Sequence, residues 1–165
     1  MTGQAAVPAP FRIGHGFDLH RLAQGGKLML AGVCVSTELS PVAHSDGDVV
    51  LHALTDALLG AMGWGDIGQW FPNNEDRWKD ASSSVFVQTV YDKIRAEGYL
   101  VGNLDVTILA EKPKLSPFRQ AMGKSLSDLV GGIVNVKAGT NEGCDSIGRG
   151  EAIAAHAVVL LLRKV

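Results

Sequence analysis

A short run near the amino terminus, GHGFDLH over residues 14–20, constrains the fold of this chain more than any other feature. Alternate side chains of an extended strand point to the same face, so Asp18 and His20 would lie side by side. Gly14 and Gly16 carry no side chain and allow another backbone to approach the strand closely. The run therefore predicts a strand that presents a carboxylate and an imidazole on one face and leaves room for a neighbouring backbone.

A second segment supplies a candidate for the third ligand of a metal ion. In this segment, residues 45–62, apolar residues recur at helical spacing, and Ser45 or Asp46 is predicted to cap the helix. His52 lies in the first turns of this helix. Two histidines and one carboxylate form the ligand set of a catalytic zinc ion that keeps a position open for substrate. Asp18, His20 and His52 are therefore candidate zinc ligands.

Asp56 is a candidate outer partner of the metal site. It lies four residues after His52 and shares its helix face, where a carboxylate could orient the imidazole. An ordinary histidine–aspartate pair on a helix surface explains these two residues equally well. Asp18 and His20 could likewise be polar residues on a surface strand, although the neighbouring glycines and the later histidine favour a metal.

Periodicity and turn residues divide the chain into strands and helices. Strands are predicted over residues 11–20, 27–30, 33–36, 104–111, 133–138 and 152–162, and helices from the 45–46 cap to residue 62, over 81–97 and over 117–130. Ala31-Gly32 predicts a hairpin turn between the two short strands. The last strand is apolar enough to be a helix, but its paired valines favour a strand. A glycine-rich loop is expected over residues 140–150.

These elements predict one α+β domain over residues 11–165. A mixed β-sheet would pack against about three helices, with a small β-hairpin, after a disordered tail of residues 1–10. The 165 residues are 46% hydrophobic and 19% charged, which is enough apolar material for a core.

Charge and composition exclude several classes of partner. The formal net charge of -2 gives no electrostatic footprint for nucleic acid. No apolar stretch approaches the roughly 18 residues that a membrane span needs. The first ten residues lack the features of a signal peptide. Cys34 and Cys144 are the two cysteines and form no C-x-x-C pair, so a reduced, cytoplasmic protein is expected.

Three further segments lie where ligands commonly bind. Residues 44–48 begin the first predicted helix, where free backbone N–H groups are capped by Ser and Asp or bind phosphate. Residues 110–114 and 137–142 follow predicted strands, a common ligand position in open sheets. Generic loops have the same composition, so each segment alone is a weak indication.

Taken in order, these segments closely resemble the 2-C-methyl-D-erythritol 2,4-cyclodiphosphate synthase family. The matching stretches are RIGHGFDLHR (12–21), AHSDGDVVLHALTDALLGA (43–61), GDIG (65–68) followed by Trp70-Phe71-Pro72, GNLDVTILAEKPKL (102–115), NVKAGTNE (135–142) and IGRGEAIA (147–154). They cover nearly the whole chain from Phe11 onward in the family's order, and as a set they are highly specific.

The resemblance implies an enzyme, a phosphorus–oxygen lyase of the non-mevalonate isoprenoid pathway. In that family the 2-phosphate of 4-diphosphocytidyl-2-C-methyl-D-erythritol 2-phosphate attacks the β-phosphorus of the diphosphate, which releases CMP and forms the 2,4-cyclodiphosphate. The resemblance also implies a homotrimer with active sites between subunits. The apolar segment over residues 152–162 supports an assembly, because one small chain would leave part of its sheet uncovered.

The resemblance assigns roles to individual residues. Zinc would be held by Asp18, His20 and His52, and a second divalent cation, Mg²⁺ or Mn²⁺, by Glu142. His44 and Ser45 would contact the methylerythritol phosphate, and Asp66 and Gly68 would contact sugar hydroxyls. The cytosine pocket would comprise Ala110, Glu111, Lys112, Pro113, Lys114 and Leu115, largely through backbone groups. Phosphate oxygens would meet Lys114 and Thr140, and Arg149 would line a central cavity of the trimer.

Four features depart from the family pattern: Asn73, residues 79–84, Gly139 and the Ser146-Ile147 pair. None of them is a predicted metal ligand. Two other functions remain open at this level. A zinc phosphohydrolase could use the same ligands, with Asp56 as a base beside the metal. A trimeric binding module could hold a structural metal, with Cys34 or Cys144 as a fourth ligand.

Overall fold

The computed structural model describes residues 9–72, 74–78 and 81–164. Most of the predicted disordered tail therefore lies outside the described residues, as do Asn73 and residues 79–80. The last two tail residues are described and hydrogen-bonded. The Ala9 carbonyl oxygen accepts the hydroxyl of Tyr99 at 2.8 Å, and that of Pro10 accepts the backbone N–H of Arg163 at 2.9 Å.

Five strands form one mixed sheet. In chain order they are β1 (Phe11–Gln24), β4 (Leu39–Pro41), β5 (Tyr99–Leu109), β6 (Ile133–Gly139) and β7 (Ala152–Arg163). Their spatial order is β4-β1-β7-β5-β6, and every neighbouring pair is antiparallel except β5 and β6. The predicted hairpin is present as β2 (Leu28–Leu30) and β3 (Val33–Ser36). The sequence expectation missed β4 and placed the end of β1 and the start of β5 four or five residues inside their actual ends.

Three long helices and two single-turn helices accompany the sheet. The long ones are α1 (Val49–Met62), α3 (Ser84–Ala96) and α4 (Arg119–Val130), and the short ones are α2 (Ile67–Trp70) and α5 (Asp145–Gly148). The α+β prediction is confirmed, with five α-helices among the described residues instead of about three. The short helices have too few residues to give a periodic signal, and α5 lies inside the predicted loop. Within the described residues, no helix is long and apolar enough to cross a membrane.

Glycines bring α1 into direct contact with β1. A Cβ built on Gly14 would overlap the carbonyl oxygen of Ala57, and one built on Gly16 would overlap that of Ala53. The leucines of α1 complete this layer, and Leu51, Leu54, Leu58 and Leu59 are fully buried. The close approach predicted from the glycines is thus realised, and α1 is the element that makes it.

Asp48 caps α1, which corrects the prediction of Ser45 or Asp46. Its buried carboxylate accepts four backbone N–H groups, those of Ala31, Gly32, Val50 and Leu51. Two of these belong to the helix and two to the hairpin turn, so one side chain joins both elements. Burial raises the pKa of Asp48, and these hydrogen bonds oppose that effect. Ser, Asp and Asp all cap well, so the sequence could not distinguish among them.

The sheet face opposite α1 is apolar and exposed in the single chain. Its exposed side chains include Phe11, Ile13, Phe17, Leu19, Val158 and Leu162. On the same face, His15 Nε2 and His156 Nδ1 lie 3.1 Å apart. Several large apolar side chains exposed together on one sheet face indicate a surface that another molecule covers.

Candidate metal and substrate site

Asp18, His20 and His52 converge on one point, as predicted. The three ligand atoms form a nearly equilateral triangle: Asp18 Oδ2 lies 3.0 Å from His20 Nε2 and 2.9 Å from His52 Nδ1. The two imidazole nitrogens are 3.2 Å apart. Among the described residues these three form the one group of histidines, cysteines or carboxylates that could hold a metal ion.

The fold explains this convergence. Asp18 and His20 alternate on the face of β1 that is turned toward α1, since their neighbours Phe17 and Leu19 are exposed on the other face. His52 comes from the first turn of α1, which the glycines of β1 bring against the strand. A strand and a helix are rigid supports, so the ligand positions are set before a metal arrives.

The triangle fits a tetrahedral metal ion. Zinc holds nitrogen and oxygen ligands at about 2.0–2.1 Å, which places neighbouring ligands about 3.3 Å apart in a tetrahedron. The observed separations are only slightly shorter. Burial alone would raise the pKa of Asp18, but hydrogen bonds from His20 and His52 outweigh burial and hold that pKa well below its usual range. The carboxylate is therefore ionised and able to bind a cation.

The far side of His52 contacts hydroxyl groups. Its Nε2 lies 2.9 Å from Ser83 Oγ and 3.1 Å from Ser45 Oγ. Ser83 also hydrogen-bonds to Asp46 through both its hydroxyl and its backbone N–H. The sequence analysis missed Ser83, because a serine before an apolar helix indicates a helix cap.

A cavity of about 450 Å³ opens beside the triad. Its lining includes two of the triad residues and four predicted substrate-site or neighbouring residues, namely His20, His52, Ala43, His44, Ser45 and Gly68. Three aromatic residues also line it, and these are Phe71, Trp78 and Phe86. The structure thus brings together the metal group and most of the residues predicted to contact the methylerythritol phosphate.

Asp66 was also predicted to contact the substrate, but it does not line this cavity. Its exposed carboxylate caps α2, accepting the backbone N–H of Gln69 at 2.9 Å and the Gln69 side-chain amide at 2.9 Å. These hydrogen bonds lower the pKa of Asp66. Ile67 and Gly68, the next two residues, line the cavity directly.

Asp56 contacts a different group from the one predicted. Its Oδ1 accepts the backbone N–H of Ile67 at 2.7 Å, while both ring nitrogens of His52 contact other residues. In the described part of the chain, Asp56 makes no hydrogen bond to His52. The residue lies a full turn farther along α1, level with the loop that follows the helix. Asp56 therefore anchors that loop, and burial raises its pKa.

Two tryptophans hold the other end of the same loop. Trp70 Nε1 donates to the carbonyl oxygen of Trp64 at 2.9 Å, and the two rings stack with centroids 5.8 Å apart. The ammonium group of Lys93 lies 4.9 Å and 4.7 Å from the two ring centroids. The segment of residues 64–70, which includes Gly68 in α2, is consequently held by contacts at Trp64, Ile67 and Trp70.

A second cavity, of about 380 Å³, lies where β5 and β6 end. Its lining is mostly the segment predicted to hold cytosine, with the start of α4 and the end of β6: Ala110, Glu111, Pro113, Lys114, Leu115, Ser116, Arg119, Ala138, Gly139 and Thr140. Lys112 was predicted here, but it does not line the cavity. Ser116 and Arg119 do line it, although the sequence analysis did not single them out.

Glu142 lies on the loop after β6 and Arg149 directly follows α5, and neither belongs to the triad group. The Glu142 carboxylate is exposed and accepts the hydroxyl of Thr140 at 2.8 Å. Its backbone is left-handed, with φ of 51°, which is uncommon for a residue with a side chain. Arg149 pairs with Glu151 through two contacts of 3.0 Å and 3.1 Å.

The chain is similar to a known protein family over nearly its whole length. The YgbB family matches residues 11–162. The chloroplastic 2-C-methyl-D-erythritol 2,4-cyclodiphosphate synthase of rice is 51% identical over 97% of this chain and 75% of its own length. The synthase of that name from Vibrio cholerae is 50% identical over 91% of this chain and 97% of its own.

Solved structures give the same result. The Plasmodium falciparum IspF in complex with CDP superposes with a TM-score of 0.83 and 33% identity, covering 94% of this chain and 97% of that one. The bifunctional IspDF of Campylobacter jejuni has a TM-score of 0.89 and 40% identity over 93% of this chain, which spans 42% of that protein. The chain belongs to the YgbB family, whose curated relatives matched here are named 2-C-methyl-D-erythritol 2,4-cyclodiphosphate synthase.

Proposed function

We propose that this protein converts 4-diphosphocytidyl-2-C-methyl-D-erythritol 2-phosphate to 2-C-methyl-D-erythritol 2,4-cyclodiphosphate and CMP. The names of its relatives support this reaction. The observation that carries the proposal is the metal-ligand triangle of Asp18, His20 and His52 at the wall of a cavity that also contains His44 and Ser45. The enzyme would be a phosphorus–oxygen lyase of the non-mevalonate isoprenoid pathway.

Each cavity suits one half of this substrate. The second cavity follows β5, where backbone N–H and C=O groups leave the sheet and can pair with the edge of a base. Two relatives have been solved with CDP bound, which supports cytidine as the occupant. Lys114 and Thr140 line the same cavity and would meet phosphate oxygens. The first cavity would then hold the methylerythritol phosphate against His44, Ser45, Asp66 and Gly68.

The reaction requires positioning more than it requires a base. A phosphate oxygen is already anionic near pH 7, so the 2-phosphate can attack the β-phosphorus without giving up a proton to the protein. The barrier comes from repulsion between two anionic groups and from bending a flexible chain into a ring. His44 and Ser45 would hold the attacking phosphate, and Lys114 and Thr140 the diphosphate, so that CMP leaves opposite the incoming oxygen.

Two divalent cations would supply the positive charge that the chain lacks. Zinc bound by Asp18, His20 and His52 would act as a Lewis acid toward phosphate oxygens. Glu142 would hold a second cation, Mg²⁺ or Mn²⁺, since such ions commonly bind one protein carboxylate together with substrate phosphates. Each acidic ligand would repel the substrate if its cation were absent.

The assembly would be a homotrimer with active sites between subunits. The exposed apolar face of the sheet supports association. Among the described residues, none lines both cavities, which is consistent with a substrate that spans two chains. Arg149 would lie at a central cavity on the three-fold axis.

Light scattering on two matched variants tests the assembly. Ile13 is 65% exposed on the apolar face, and Val85 is 47% exposed on α3. Ile13→Asp should dissociate the trimer, whereas Val85→Asp should leave it intact. An active wild-type monomer, or a trimer unaffected by Ile13→Asp, would contradict the proposed interface.

Product analysis in ¹⁸O-labelled water tests the reaction against the zinc phosphohydrolase. A cyclase releases CMP and the cyclic diphosphate in equal amounts and incorporates no label, because no water is consumed. Label in either product would favour the hydrolase, for which Asp56 was the candidate base. Asp56 is engaged with Ile67, which argues against that role.

The two cysteines bear on the alternative of a structural metal site and on the predicted location. Cys34 and Cys144 are both free and exposed, and neither belongs to the triad group. That placement argues against the binding module with a closed structural metal, since such a site would need a fourth protein ligand. A cytoplasmic location stays a prediction from composition.

A further inference from the structure

We infer that Ser83, anchored by Asp46, is a positioning residue that fixes which nitrogen of His52 faces the metal. The inference rests on the metal-binding part of the proposed function, but its test does not require turnover. Ser83 lies just before α3, outside the strand and the helix that carry the three ligands. Its side chain is fully buried.

The contacts form a chain of three groups. His52 Nε2 lies 2.9 Å from Ser83 Oγ, and Ser83 Oγ donates to Asp46 Oδ1. The backbone N–H of Ser83 donates to the other oxygen of Asp46 at 3.0 Å. The hydrogen bond from the backbone N–H holds Ser83 against the Asp46 carboxylate, so the Ser83 hydroxyl is directed at Asp46 Oδ1.

Hydrogen-bond chemistry then determines where the protons lie. An ionised carboxylate can only accept, so Asp46 takes the single proton of the Ser83 hydroxyl. The serine oxygen is left with lone pairs and must accept from His52. Nε2 of His52 therefore carries a proton, and the opposite nitrogen, Nδ1, which hydrogen-bonds to Asp18 in the metal-free triangle, is the one whose lone pair would bind the metal. A metal-binding histidine typically needs such an outer partner to fix its tautomer and ring orientation.

The use of Ser83 here replaces its ordinary role. A serine before a helix commonly caps the helix with its hydroxyl, but Ser83 makes no such hydrogen bond. Its hydroxyl is committed to His52 and Asp46 instead. Ser45 also lies 3.1 Å from His52 Nε2 but lines the open cavity, so it remains available to a substrate phosphate. Ser83 is the buried and anchored partner of the two.

Nuclear magnetic resonance of the histidine rings in the wild-type protein tests the proton assignment. We expect His52 to keep a proton on Nε2 both without metal and after addition of Zn²⁺ alone, with the metal-induced shift on Nδ1. A zinc-bound Nε2, or an Nε2 without a proton in either state, would overturn the inference. Failure of the wild-type protein to bind zinc would contradict the proposed metal centre, while the Nε2 proton could still be measured.

Zinc affinity of matched variants provides a second test, by competition with a chromogenic chelator. Ser83→Ala should weaken zinc binding about 10- to 100-fold, the usual effect of removing an outer partner. Asp46→Asn should also weaken zinc binding. The two oxygens of Asp46 each accept a backbone N–H, one from Ser83 and one from Asp48. In asparagine an NH₂ group replaces one of these oxygens, so in either orientation it would face an N–H group that needs an acceptor. The exposed neighbour Ser82→Ala should bind as the wild type does. Wild-type affinity in Ser83→Ala would overturn the inference, and if that variant fails to fold, the wild-type resonance measurement decides.

Discussion

Gly16 of β1 lies against the carbonyl oxygen of Ala53 in α1, with no space between them for a side chain. His52 is the residue before Ala53, and Asp18 lies two residues after Gly16 on the same strand face. The close approach of strand and helix that the glycine permits thus also lets His52 reach Asp18. Packing and metal binding depend on the same contact.

Gly16→Ala should weaken both the fold and zinc binding. The new methyl group would overlap a backbone carbonyl that cannot rotate away, so α1 must move outward and carry His52 with it. We expect a loss of about 1–3 kcal/mol in the free energy of unfolding, measured in urea, and weaker zinc binding. Gly123→Ala is the control, since nothing lies within 4 Å of its position in α4. The control should gain about 0.5–1 kcal/mol, because alanine favours a helix. Equal effects of the two substitutions would contradict the packing argument.

Acid should selectively remove the contribution of Asp18 to the stability of the metal-free protein. The pKa of this carboxyl is lowered in the folded state, since hydrogen bonds from His20 and His52 outweigh burial. A carboxyl whose pKa is lowered in the folded state stabilises the fold at pH values above the ordinary aspartate pKa of about 3.9. That contribution is lost as the pH falls below this value. Urea unfolding in the presence of a chelator should show the wild type more stable than Asp18→Asn near pH 6, with a gap that narrows toward pH 3. A gap that widens on acidification would contradict the assigned direction.

Glu142→Gln should separate the two proposed cations. Glutamine keeps the acceptor for the Thr140 hydroxyl but loses the negative charge, so the loop should keep its shape. Zinc content should be unchanged, because Glu142 lies outside the triad group. The rate of CMP release should fall about 10- to 100-fold, as for loss of a charged contact of about 1.5–3 kcal/mol, and added Mg²⁺ should restore part of it. A wild-type rate at low Mg²⁺ would remove Glu142 from the reaction.

Two neighbouring lysines provide a matched pair for the cytidine site. Lys114 lines the second cavity and Lys112 does not. Calorimetry of CMP binding should show a loss of about 1 kcal/mol or less for Lys112→Ala, as for an exposed charge. Lys114→Ala should cost about 1.5–3 kcal/mol, because a phosphate contact is a charge-assisted hydrogen bond. Equal losses, or a larger loss at Lys112, would show that the cavity binds another part of the substrate.

The sequence predicted the parts of this site that depend on periodicity. Asp18 and His20 were predictable because a strand alternates with period two. His52 was a candidate only, because the helical pattern places it on α1 but does not show what α1 contacts. Asp48 was missed because several neighbouring residues are equally good caps, and only packing against the hairpin turn selects among them. Ser83 was missed because its contact with His52 joins residues 31 positions apart. The loop contact of Asp56 depends on where α1 ends in space, which no local pattern encodes.

The central claim is that Asp18, His20 and His52 hold the metal on which CMP release depends. His52→Ala tests it most directly, because Leu51, Leu54 and Leu58 pack α1 and should keep the variant folded. Elemental analysis should find zinc in the wild type and in the control His156→Ala, which alters the opposite sheet face, but none in purified His52→Ala. Circular dichroism of the variant should match the wild type, and CMP release should be lost with the metal. Full zinc occupancy in folded His52→Ala, or undiminished CMP release without zinc, would contradict the account.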